Sequence, residues 1–243
     1  MRTRALYALP GLLVALSGVA LIAWGPIAQL PHYHDFADTR SVAGIPHAAD
    51  VLSSLAFALV GAWAMLRARG APDSPQWAAE CMFHVALLLT AAGSAYYHWA
   101  PDNARLVYDR IPIAMACASL ICAMHARVFG ARIPGLLPAL LAAAVASVLW
   151  WSWTEGRGRG DLRPYLLLQA APLVLVPLWQ WLHGAPRRER LLVAIAVVLY
   201  VAAKGFETED AAVLAATGAV SGHTLKHLVA AVASAALCKA MRP

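Results

Sequence analysis

Eight long apolar stretches, separated by short charged segments, constrain this chain more than any other feature of its sequence. Each is about as long as a helix must be to cross a hydrocarbon core of about 30 Å. In lipid, only helices and closed barrels satisfy the hydrogen-bonding requirements of their backbone N–H and C=O groups. Apolar stretches of this length favour helices. The stretches cover residues 5–28, 47–67, 77–99, 107–126, 134–153, 163–182, 190–206 and 221–240.

This pattern predicts an all-α, polytopic membrane protein. Only 13% of the 243 residues are charged, whereas soluble domains carry about a quarter. We interpret residues 1–30 as a retained N-terminal transmembrane helix, because no clear cleavage motif of small residues follows the first stretch. Residues 31–243 then form a seven-helix membrane domain.

Basic residues in the short loops predict the orientation. If the amino terminus is cytoplasmic, eleven basic residues lie inside and six lie outside, so the positive-inside rule favours two cytoplasmic termini. The inside set is Arg2, Arg4, Arg67, Arg69, Arg127, Arg132, Arg187, Arg188, Arg190, Lys239 and Arg242. The outside set is Arg40, Arg105, Arg110, Arg157, Arg159 and Arg163. Topology thus accounts for the positive net charge, and no nucleic-acid partner is expected.

Two histidines four residues apart open the last stretch. His223 and His227 share one helical face, and imidazoles in an apolar span are costly without a partner such as a metal ion. The predicted topology puts His98 and Asp109 in the same leaflet. Ser94 lies four residues before His98 and shares its face.

These residue types suit the hydrolysis of an amide. Three imidazoles and a water form a catalytic zinc site with one open position, and zinc makes that water a nucleophile near neutral pH. A nearby carboxylate can take the proton and return it to a leaving amine, while a hydroxyl donates to the oxyanion. The spacing leaves open the alternative that each histidine bonds a backbone carbonyl or a neighbouring helix.

The pattern Ser94-x-x-x-His98, Asp109 and His223-x-x-x-His227 resembles the alkaline ceramidase family. It also resembles the wider superfamily that includes adiponectin and progestin receptors and haemolysin III-like proteins. Three strings are similar to the bacterial ceramidase-like branch: Phe36-Ala37-Asp38-Thr39-Arg40, Asp50-Val51-Leu52-Ser53-Ser54-Leu55 and Ser221-Gly222-His223-Thr224-Leu225-Lys226-His227. The resemblance covers residues 33–240 and implies a seven-helix core, to which the first helix is an addition.

The resemblance implies one zinc ion held by His98, His223 and His227. It implies that Asp109 positions and deprotonates the nucleophilic water and that Ser94 stabilises the oxyanion. The implied reaction cleaves the amide of ceramide or a related N-acyl membrane lipid to a fatty acid and an amine. The expected location is a bacterial inner membrane, with the site opening to the outer leaflet. The sequence carries no signal for an oligomeric state.

Two other functions remain open. One is a receptor or signalling protein on the same scaffold. The lack of an extended soluble domain counts modestly against this function. The other is a metal or proton transporter, which should carry polar residues across the whole membrane. Here they concentrate on one side, and only His84 and His125 lie near the other.

Animal ceramidases also have a calcium site near the amino end, and Asp35, Asp38 and Asp50 occupy a comparable region here. The tryptophan-cysteine-glutamate context of that site is missing, and His47 stands where a carboxylate would be expected. We therefore expect these acids to cap a helix or to pair with Arg40 rather than to bind calcium.

Other polar and aromatic residues receive structural interpretations. Ser221 is predicted to cap the last helix, and Lys226 to point to a different face from the histidine pair. One charged cluster lies where the seventh stretch ends and consists of Lys204, Glu207, Glu209 and Asp210. It is predicted to form a solvated loop with one internal ion pair. The alternative is that the cluster lines the entrance to the site. An aromatic belt at the span ends is predicted for Trp150, Trp151, Trp153, Trp179 and Trp181.

Overall fold

The computed structural model describes residues 4–68 and 72–242, with side chains from residue 9 onward. Arg2 and Arg69, which entered the orientation prediction, lie outside the described residues, as does the side chain of Arg4. Within the described part, the chain forms nine helices and no strand. The predicted all-α fold class is therefore confirmed for these residues.

Eight of the helices coincide, to within a few residues, with the eight predicted stretches. The ninth, α8, is a short helix that the sequence did not predict. The helices are α1 (Arg4–Trp24), α2 (Ala48–Leu66), α3 (Trp77–Trp99), α4 (Asn103–Phe129), α5 (Leu136–Glu155), α6 (Arg163–His183), α7 (Arg187–Thr208), α8 (Asp210–Thr217) and α9 (Gly222–Ala240).

Six helices of the described chain, α2 to α7, are long and apolar enough to cross a membrane. In α1 the described apolar portion is Leu9–Trp24, which is shorter. The first turns of α9 carry the histidine pair and Lys226, and this helix is not among the six. Membrane integration is thus supported by six helices, while the seven-helix count of the core is not confirmed.

The packing of the helices forms a ring around a cavity. Helices α2, α3, α4, α6, α7 and α9 follow one another around it, and α9 closes the ring against α2. Outside the ring, α5 packs on α4 and α6, and α1 packs on α6. The cavity has a volume of about 450 Å³, and every ring helix contributes to its lining.

Helices α4 and α9, which carry Asp109 and the histidine pair, both begin with a side-chain cap. The Asp102 side chain accepts a hydrogen bond from the Arg105 N–H at 2.7 Å, and the Ser221 hydroxyl accepts one from the Thr224 N–H at 3.1 Å. Such caps satisfy donors that the first helical turn leaves free. The predicted cap at Ser221 is confirmed.

Two glycines let helices touch backbone to backbone beside the site. A Cβ at Gly93 in α3 would collide with the carbonyl oxygen of Tyr108 in α4. A Cβ at Gly222 in α9 would collide with the carbonyl oxygen of Phe206 in α7. Both collisions involve backbone atoms, which cannot move aside as a flexible side chain can. Close approach at these positions places Ser94 beside α4 and His223 beside α7.

We expect Gly93→Ala and Gly222→Ala each to destabilise the protein by about 1–3 kcal/mol, because the added methyl forces two helices apart. The measurement is the thermal unfolding midpoint in detergent. Gly205→Ala in α7 is the matched control, since nothing lies within 4 Å of its Cβ position. If all three variants unfold at the same temperature, the close approaches are not needed for stability.

Candidate metal centre

Three histidines from two helices meet at one end of the ring. His98 comes from the last turn of α3, and His223 and His227 come from the first turns of α9. All three are buried, and one nitrogen of each lies within 4.8 Å of the others. Among the residues that the structure describes, they form the one group able to hold a metal ion.

The spacing of the ring nitrogens fits a tetrahedral ion. Nε2 of His98 and Nε2 of His223 lie 3.2 Å apart. In a tetrahedral zinc site with Zn–N distances of about 2.0–2.1 Å, two nitrogens are about 3.3–3.4 Å apart. Nδ1 of His98 is buried and has no partner within the described chain, so no hydrogen bond at that nitrogen fixes the tautomer of this ring.

The tautomer of His227 is set by a serine on α2. The Ser53 hydroxyl lies 2.8 Å from Nδ1 of His227 and donates its proton to the carbonyl oxygen of Asp50 at 3.1 Å. Because that proton is used, Ser53 accepts from Nδ1–H of His227. The lone pair on Nε2 is then free, as a metal ligand requires.

Ser94 and Asp109 lie beside the histidines. The Ser94 hydroxyl is 3.5 Å from Nε2 of His227 and 3.0 Å from the Ser54 hydroxyl. Asp109 lies next to Ser94 across the α3–α4 contact, and both line the cavity. The structure thus brings the five predicted site residues to one end of the ring.

A lysine joins the histidines, contrary to the prediction. Nζ of Lys226 lies 3.1 Å from Nε2 of His223 and donates to Glu207 at 3.0 Å. Lys204, one turn earlier on α7, also pairs with Glu207. The prediction that Lys226 points away from the pair was wrong, because a lysine stem is long enough to bring its ammonium round the helix.

The predicted solvated loop is also wrong for two of its acids. The Glu207 side chain is only 16% exposed and lines the cavity from α7. The Asp210 carboxylate accepts hydrogen bonds from the backbone N–H of Ala37, at 2.9 Å, and of His223, at 2.7 Å. Asp210 therefore ties the α1–α2 segment to the start of α9, and Glu209 is exposed as predicted.

The α1–α2 segment covers the histidines with an aromatic ring. The ring centroid of Phe36 lies 4.7 Å from that of His98 and 4.5 Å from that of His223. Asp38 pairs with Arg40 at 2.6 Å, as predicted, and this hydrogen-bonded guanidinium holds the pKa of the Asp38 carboxyl below its usual range. Asp35 instead pairs with His32 at 2.8 Å.

The histidines at the opposite end do not extend the site. Nδ1 of His84 and Nδ1 of His125 have no partner among the described residues, and the His125 ring stacks on Phe129 at 4.4 Å. The cavity below the metal centre is lined mostly by apolar side chains such as Leu87 and Leu120, and its described lining includes neither His84 nor His125.

The sequence prediction missed the residues that support the histidines, namely Ser53, Phe36, Lys226 and Asp210. One signal was present: Ser53 and Ser54 are adjacent polar residues inside an apolar stretch. No such signal marks Phe36, because an aromatic residue in a loop between spans is ordinary.

No protein-family model matches the chain, and no curated protein matches it either. Its function must therefore be argued from the chemistry of the site.

We expect Ser53→Ala to weaken metal binding by roughly 10- to 100-fold, because His227 loses the acceptor that fixes its tautomer. Metal affinity is measured by competition with a chromogenic chelator in detergent. Ser147→Ala is the matched control, since its buried hydroxyl bonds only the Ala144 carbonyl of its own helix. Equal affinity in the two variants would contradict the role of Ser53.

Proposed function

We propose that this protein is a zinc-dependent membrane hydrolase that cleaves the amide bond of ceramide or a related N-acyl lipid. The observation that carries the proposal is a buried group of three histidines at the head of an apolar cavity. A carboxylate and a hydroxyl line the same end of that cavity. The resemblance to alkaline ceramidases supports the same assignment.

Zinc is the ion that this donor set favours. Three neutral imidazoles with no thiolate and one open position are typical of catalytic zinc sites, whereas magnesium and calcium prefer oxygen ligands. When bound by His98, His223 and His227, zinc would polarise the amide and make a water molecule nucleophilic near neutral pH.

The protein's own groups would move the protons and stabilise the charge. Asp109 is placed to take the proton of the attacking water and to give it to the amine nitrogen as the carbon–nitrogen bond breaks. The Ser94 hydroxyl can donate to the carbonyl oxygen as negative charge develops on it. The ammonium of Lys226, held by Glu207, adds positive charge at the same place. Phe36 and the ring helices keep other water away.

The cavity suits a lipid chain. Along α9 it extends from Lys226 to Leu237, which is a depth of about 16 Å at 1.5 Å per residue. Its wall is mostly apolar below the site, with side chains such as Val176 and Val197. Helices α6 and α7 both line it but have little contact with each other. We propose that the lipid enters from the membrane between these two helices.

We propose a bacterial inner membrane as the location, which the resemblance implies, with two cytoplasmic termini and a site toward the outer leaflet, which the loop charges favour. A proton or metal transporter is less well supported, because the cavity lining is mostly apolar and includes neither His84 nor His125 among the described residues. A receptor on the same scaffold would bind the lipid and the metal without hydrolysing the amide.

We expect the purified protein to contain about one zinc ion and to release fatty acid from N-acyl lipids. Asp109→Asn should keep the zinc and lower kcat by roughly 10²- to 10⁴-fold, because it removes the proton acceptor. His223→Ala should lose zinc and activity together. Elemental analysis gives the zinc content, and chromatography of the released fatty acid gives the rate.

The control is His32→Ala, since His32 is exposed and pairs only with Asp35. It should behave as the unmodified protein. Full activity of His223→Ala would rule out the zinc mechanism. Zinc binding without hydrolysis of any N-acyl lipid would favour the receptor.

A further inference from the structure

Arg110 is a buried cation that interacts electrostatically with Asp109 but forms no ion pair with a carboxylate of the described chain. Its side chain lines the cavity from α4, one residue after Asp109, and the residue is only 4% exposed. Nη1 is buried and has no hydrogen-bond acceptor among the described residues. Adjacent residues on a helix point in different directions, so Asp109 does not close this gap.

The neighbours of Arg110 are aromatic rings. Its guanidinium carbon lies 4.0 Å from the ring centroid of Trp151, 5.1 Å from Tyr33 and 5.5 Å from Tyr165. Trp151 was predicted to belong to an aromatic belt, but it is fully buried against this arginine. Ring faces stabilise a cation but accept none of its five N–H donors in the plane of the guanidinium.

Other partly buried arginines of the described chain have a hydrogen-bond acceptor; Arg242, for example, donates to the carbonyl oxygen of Ala64 at 3.4 Å. Arg127 bonds Glu189 at 2.6 Å, and Arg163 bonds Asp161 at 2.8 Å. A buried guanidinium without a partner is costly, and the cost falls when a carboxylate or phosphate accepts its fork of donors. The aromatic rings therefore fix the plane of Arg110 while its donors are left for a ligand.

The charge of the cavity wall agrees with an anionic ligand. The cationic side chains on the wall are Arg110, Lys204 and Lys226, against the carboxylates of Asp109 and Glu207. Glu207 is already shared by the two lysines, which leaves Arg110 as the cation available to a substrate.

We propose that Arg110 binds a carboxylate on the amine part of the substrate, so that the preferred lipid is an N-acyl amino acid. This inference rests on the proposed amide hydrolysis. In an N-acyl amino acid only one carbon separates the carboxylate from the amide nitrogen. Because Asp109 and Arg110 both line the cavity, an amide placed beside Asp109 can direct the carboxylate toward Arg110. A neutral ceramide would leave the guanidinium unpaired.

The first test measures binding without catalysis. Metal-free protein in detergent is titrated with N-lauroylglycine, its methyl ester and N-lauroyl-phosphoethanolamine, and intrinsic tryptophan fluorescence is recorded. We expect the acid to bind roughly 10- to 100-fold more tightly than the ester, because a hydrogen bond to a charged group typically contributes this much to affinity. Arg110→Gln should abolish this preference and leave the affinity for the ester unchanged.

Two further variants keep the test decisive. Arg110→Lys retains the charge without the planar fork, so it should fold and show an intermediate preference. Arg105→Gln is the matched control, because Arg105 lies on the same helix but pairs with Asp102 outside the cavity wall. It should keep the full preference for the acid.

Equal affinity of the unmodified protein for acid and ester would overturn the inference, as would tighter binding of the phosphate compound. The zinc-loaded protein separates this inference from the proposed function. Hydrolysis without preference for the acid would overturn the role of Arg110 and leave the hydrolase. Selective binding of the acid without hydrolysis would overturn the hydrolase and leave the anion site.

Discussion

The burial of three imidazoles in an apolar ring of helices is the constraint on which the site depends. The two ring nitrogens that face each other at 3.2 Å, on His98 and His223, are stable together only if a proton or a cation lies between them. The Phe36 ring covers both of these histidines, and all three imidazoles are buried. A proton shared between these two nitrogens would satisfy only this pair, whereas a metal ion would satisfy all three rings at once.

The surrounding structure holds the rings in place for that charge. Ser53 fixes the tautomer of His227, and Asp210 holds the backbone at His223. Gly93 lets α3 approach α4, and Gly222 lets α9 approach α7. These close approaches help to bring Asp109 and Glu207 to the same end of the cavity. The elements around the metal centre are thus linked by contacts that involve small or polar residues, which is typical of helix packing in membranes.

The sequence predicted the helices well because one physical requirement, the length of an apolar helix in lipid, acts on each span independently. It could also group His98, Asp109 and His223, because the direction of each span sets the depth of its ends. It could not place Lys226 or Arg110, since the direction of a long side chain depends on which helices pack beside it. Trp151 shows the same limit: its position at a span end suggested a belt, but α5 turns it inward onto Arg110.

The two cations near the site are held in different ways, and the difference bears on their roles. Lys226 shares the Glu207 carboxylate with Lys204, so its charge is partly balanced before any ligand arrives and its position is fixed beside His223. Arg110 lies against ring faces and has no ion pair with a carboxylate of the described chain, so its charge is oriented but not balanced in this way. A balanced cation suits a group that stabilises charge developing during the reaction. An unbalanced one suits a group that selects a substrate carrying its own negative charge, because pairing is then gained on binding.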